Sequence, residues 1–157
     1  PVAVYDANSD ILSKTTRDDQ RKDRLENGNY VETAANHFVL IVEDEKTGIG
    51  QPAVITLKST QLKKSRKWNS MMLNLKIQGS KGPFTPPSYS HIYRISTVKE
   101  GNDFGEWFGI NVEKEKILEN RGLFATAKEF ADSITKGEKI AVPEEQENVA
   151  SEGKRVF

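Results

Sequence analysis

A chain of 157 residues with 36% hydrophobic and 8% aromatic content suits one globular domain and leaves no room for two comfortable ones. With no cysteine and no Asn-x-Ser/Thr acceptor, disulfides and thiolate metal sites are excluded and nothing points to an oxidising compartment. The formal net charge is zero, yet the charges are segregated: ten bases and no acid lie from Lys46 to Lys99, while the two flanks are acidic.

No apolar run approaches the ~20 residues needed to cross a bilayer, and no leader pattern is present, so the sequence reads as soluble and unsecreted. The start at Pro1 instead of methionine implies missing N-terminal material. Pro1 to Tyr5 is a β-prone start, and Thr15 to Leu25 is polar enough to be either a surface helix or a flexible excursion. "HFVLIVE" (His37 to Glu43) and "PAVITLK" (Pro52 to Lys58) are rich in β-branched residues and flank "DEKTGIGQ", which predicts a hairpin with a long loop. Ser59 or Thr60 can cap a helix running to about Gln78, with Gly79 as its stop and "GSKGPFTPP" as a loop. Tyr89 to Val98 and Phe104 to Val112 read as strands joined by "KEGND". On the second of them Phe104, Phe108, Ile110 and Val112 share the core face and Trp107 points away. Leu123, Ala127, Phe130 and Ile134 recur at helical spacing, predicting a helix from Leu123 to Lys136.

Five strands with a helix after the third, closed by a C-terminal helix, is the order of an α+β, OB-fold-like antiparallel barrel or sheet. Residues 1–142 are thus expected to form one nucleic-acid-binding domain, and residues 143–157 a disordered acidic tail. A different α+β sheet fits the same string.

Most chemistry-bearing motifs fail. "GIGQPA" lies between two strands instead of opening a helix, so it is read as a hairpin loop and not as a dinucleotide fingerprint. His37 and His91 lack ligand spacing, and His37 is read as a strand histidine with a structural hydrogen bond. The densest acids, Glu43 to Glu45, sit at a turn, and the basic third has no carboxylate to hold a catalytic metal. The expectation is no enzymatic activity, no metal and no cofactor.

The basic and aromatic residues remain: Lys58, Lys63, Lys64, Arg66, Lys67, Lys76, Lys81, Phe84, Tyr89, His91, Tyr93, Arg94 and Trp107. Cations along a backbone track, interleaved with flat rings, are what sequence-tolerant binding of single strands requires. Against this stands the plainer reading of a wet helix face over a core. Trp68 aligns with Met72 and Leu75 and is placed in that core; Trp107 and one face of the Tyr89–Tyr93 strand are placed outside it.

"STQLKKSRKWNSMM", "GPFTPPSYSHIYRISTV", "WFGINVE" and "LFATAKEFADSI" resemble a group of largely uncharacterised tailed-bacteriophage proteins, over Val31 to Gly137. The resemblance implies a single-stranded DNA-binding protein of a phage replication module, acting in the cytoplasm of the infected host. It also implies an acidic tail that recruits replication proteins; here Lys154 and Arg155 interrupt the tail before Phe157. The alternative from another class is a phage structural or assembly protein whose basic segment docks on acidic protein partners.

Overall fold

The computed structural model describes residues 2–137. The expected tail, residues 143–157, lies outside them. Among the described residues the fold is mixed α+β, with nine strands in small antiparallel sheets and two α-helices.

The N-terminal expectations are corrected. No strand forms over residues 2–5; a short 3-10 turn at Asp10–Lys14 comes first. The polar excursion is a miniature three-stranded sheet of β1 (Thr16–Arg17), β2 (Asp23–Arg24) and β3 (Tyr30–Val31). It is held by polar chemistry: Asp18 accepts from the Gln20 and Lys22 N–H groups and pairs with Arg24. Asp18 thereby substitutes for the apolar face that this segment lacks.

β4 (Ala34–Ile41) and β5 (Gln51–Lys58) form the expected hairpin, in register from Ala34 opposite Lys58 to Ile41 opposite Gln51. In its loop Asp44 accepts from the Lys46 N–H, and Gly48 turns the chain at φ 68°. The chain then leaves β5 through Ser59, a non-glycine residue at φ 51°, and a 3-10 turn at Ser59–Gln61. Ser59 therefore redirects the chain instead of capping a helix. α1 spans Leu62–Leu73 and is shorter than expected. Beyond it, β6 (Ile77–Gly79) and β7 (Gly82–Phe84) make a tight hairpin. Gly79 is not a helix stop. A Cβ there would meet the Phe84 ring at 2.9 Å, so its bareness seats that ring.

β8 (His91–Asn102) and β9 (Gly105–Ile117) form a long hairpin with a two-residue turn at Asp103 and Phe104. α2 (Arg121–Thr135) closes the described residues; Asn120 caps it by accepting from the Leu123 N–H. Glu45, from the β4–β5 loop, accepts from the Glu119 and Asn120 N–H groups and pairs with Lys116. One carboxylate thus joins the loop, the end of β9 and the start of α2.

The core is small. Leu57, Trp68, Val112, Leu123 and Ala127 are its buried apolar side chains. Trp68 stacks on His37 of β4, with centroids 4.4 Å apart, and meets Tyr93 of β8 at 6.1 Å. His37 Nε2 and Ser65 Oγ lie 2.8 Å apart, and burial lowers the imidazole pKa. The tryptophan therefore binds α1 to both hairpins.

The expected barrel does not close among the described residues: each long hairpin pairs only with itself. On β9 one N–H, that of Ile110, donates instead to Gln61 Oε1 at 3.0 Å. The turn leading into α1 satisfies the backbone that a further strand would use.

Candidate nucleic-acid interface

α1 carries "LKKSRKWNSMML" and contains no acid. Its buried side presents Ser65 and Trp68; Lys63, Arg66 and Lys67 are exposed, and their i, i+3, i+4 spacing puts them on one face. None of these three has an ion pair among the described residues. They occupy the N-terminal half of the helix, where the macrodipole disfavours positive charge. The helix is therefore not made more stable by them.

Lys64 differs. It turns inward and pairs at 2.6 Å with Glu100, and both side chains are largely covered. Gln61 Nε2 and Trp107 Nε1 also donate to Glu100 Oε2, at 3.0 and 3.2 Å. The Lys64 contact, followed by that of Gln61, holds the Glu100 carboxyl down at about 2. Gly109 is buried beneath this network: a Cβ there would lie 2.2 Å from Glu100 Oε2 and 2.8 Å from Gln61 Nε2. Trp107 is consequently half-buried and anchored, not free on the outer face as expected.

The β6–β7 hairpin continues from the far end of α1. Thr85 Oγ1 accepts from Lys76 and donates to the Leu73 carbonyl, tying the hairpin to the helix. Lys81 is exposed at its turn, and Phe84 is 47% exposed. The exposed cations are thus three on one face of the helix and Lys81 on the hairpin tied to its far end, which also carries the accessible Phe84 ring.

The other expected site residues lie apart or are committed elsewhere. Lys58 pairs with Glu32, and Arg94 with Glu115. Tyr89 packs edge-on against Phe124 of α2. Tyr93 leans on Trp68, and burial raises its hydroxyl pKa. His91 Nδ1 is 2.7 Å from Ser90 Oγ; burial first, then Lys114, lowers its pKa.

Sequence reasoning missed Gln61, Glu100 and Gly109, and it placed Phe104 and Phe108 in the core. These two rings are 91% and 76% exposed. A signal existed: Phe108 pairs with Lys99 and Ile110 with Thr97, so one face of the hairpin is polar on its β8 side.

Among the described residues no cluster of three or more His, Asp or Glu could hold a metal ion. No helix among them is long and apolar enough to cross a membrane. No curated protein and no solved structure matches the chain. A family model does: residues 1–140 match the Pam3 phage gp34-like protein family, so the chain belongs to that bacteriophage family.

Proposed function

We propose that this phage protein is a non-enzymatic single-stranded DNA-binding protein of a replication system, working in the cytoplasm of the infected host. One observation supports this most: Lys63, Arg66 and Lys67 are exposed, unpaired with any carboxylate among the described residues and gathered on one face of an acid-free helix. Three cations held there against the helix dipole are accounted for by an anionic ligand. Phosphates run along α1 toward Lys81, and Phe84 offers a base its exposed ring. The Glu100 network orders the inner side of the helix, so the outer cations are presented on a fixed support. In this reading the basic surface is OB-like in role, and the acidic C-terminal stretch contacts other replication proteins.

The test is binding of a labelled single-stranded oligonucleotide beside the same sequence as duplex, over a range of salt. Tighter, salt-sensitive binding of the single strand supports the proposal. The absence of binding to either at low salt refutes it. A second reading, assembly through protein partners, draws on the exposed rings of Phe104 and Phe108, which a protein surface would cover. It predicts no oligonucleotide binding and retention of the chain by an acidic phage protein.

A further inference from the structure

The outer face of α1 is divided along its length. At about 3.6 residues per turn, Lys63, Arg66, Lys67, Ser70, Leu73 and Asn74 fall on the side away from Ser65 and Trp68, and all six are exposed. The cations stop at Lys67. Beyond it this face is neutral: a hydroxyl, an aliphatic side chain that is 69% exposed at Leu73, and a carboxamide. The next cation, Lys76, lies past the helix and donates to Thr85 Oγ1. A phosphate track along the whole helix would use cations throughout, and the second half of this face has none.

The fold gives the Asn74 amide no employment. Asparagine at a helix end commonly serves by accepting the left-handed conformation. Asn74 instead has φ −84° and ψ −6°, right-handed backbone that any residue adopts. Its backbone N–H is tied to the Ser70 carbonyl at 3.0 Å, so the side chain leaves from a fixed point, yet the amide makes no hydrogen bond among the described residues. The Ser70 hydroxyl, one turn earlier on the same face, makes none either. With Leu73 outside the core, three side chains that the fold does not use stand together beside the cations.

Cations suit phosphates, and these side chains suit bases. From Lys67 to Asn74 the helix rises about 10 Å, at 1.5 Å per residue, which is similar to the reach from a phosphate to the far edge of its own base. A carboxamide holds a donor and an acceptor side by side, the complement of adenine N7 and its N6 amino group. Resting on the reading of α1 as a single-strand-binding face, we infer that phosphates lie over Lys63, Arg66 and Lys67 while a base falls across the second half of the helix, where Asn74 reads adenine. Leu73 packs against that base, and Ser70 supplies a further hydrogen bond. Asn74 is then a specificity-determining residue, and the protein favours strands that contain adenine over coating every strand equally.

Anisotropy titrations of the full chain with three labelled oligonucleotides of one length test this: all dT, and dT with a central run of dA or of dC. The wild type should bind the dA-containing strand about ten-fold tighter than the other two, within the range of one bidentate contact to a base. Asn74→Ala should erase that difference and leave the dT affinity, the salt slope and the thermal melt unchanged, because alanine takes the same backbone conformation and no phosphate contact is lost. Equal wild-type affinities for the three strands overturn the inference and leave single-strand binding standing. A preference for dC or dT overturns it too, as does a dA preference that survives in Asn74→Ala. Absence of binding to all three at low salt refutes the single-strand reading itself, and this inference with it.

Discussion

Replacing Lys63, Arg66 and Lys67 together by alanine isolates the electrostatic part of the proposed interface. All three are exposed and carry no ion pair among the described residues, so their loss leaves no buried charge behind. Alanine also has the higher helix propensity, and removing cations from the N-terminal half relieves the dipole; the variant should melt no lower than wild type. Each phosphate contact with a single strand contributes about 0.7 to the slope of log affinity against log salt, so three lost contacts should flatten it by about 2 units. Because the two lines meet near 1 M salt, this amounts to roughly hundred-fold weaker binding at 0.1 M. Fluorescence anisotropy of a labelled oligonucleotide across a salt series reads both quantities. Lys64→Ala is the contrast: it removes the partner of the covered Glu100 and should lower the melting temperature while changing the slope less. Parallel lines for wild type and the triple variant, with folding intact, would refute the helix-face interface.

Gly109→Ala drives a methyl group into Glu100 and Gln61 and should cost about 1–3 kcal/mol, read as an early thermal melt; an unchanged melt means that the network yields. Phe84→Ala should weaken oligonucleotide binding by about 1–3 kcal/mol with the melt nearly unaltered, whereas normal affinity removes this ring from the interface. Acid should destabilise the fold over a defined window. The Glu45 and Glu100 carboxyls are both held down at about 2 from an ordinary 4.5, so their contributions are complete above pH 4.5 and are lost as the pH falls toward 2. Melting temperature against pH should fall through that window, and Glu45→Gln should flatten part of the fall; a variant curve parallel to wild type would dismiss Glu45's share.

Local chemistry carried far along this chain. The two β-branched runs paired as β4 and β5, the spacing of Leu123 and Ala127 placed both on the buried side of α2, and Trp68 went inward on the helical period. Such periodicities act within one element, where each residue meets its neighbours at fixed spacing. The acid-free stretch was equally legible, since charge order is a property of the chain itself.

What needed tertiary structure was every decision made between elements. Four of the ten cations of that stretch are neutralised by carboxylates outside it: Glu32, Glu100, Glu115 and Glu106 pair with Lys58, Lys64, Arg94 and Lys99. No spacing rule foretells them, because the partners meet only once the hairpins and α1 pack. Phe108 and Val112 share a face by alternation, yet one is exposed and the other buried. Alternation decides which side a residue takes, and only packing decides whether that side is covered. The barrel expectation failed for the same reason: the four long strands were readable, but the short ones were not, and Gln61 reaching the Ile110 N–H depends on where the helix docks. The sequence alone therefore determined the two long hairpins, the two helices in outline and the order of the charges, while the tertiary structure decided which of the charges remained available to a ligand.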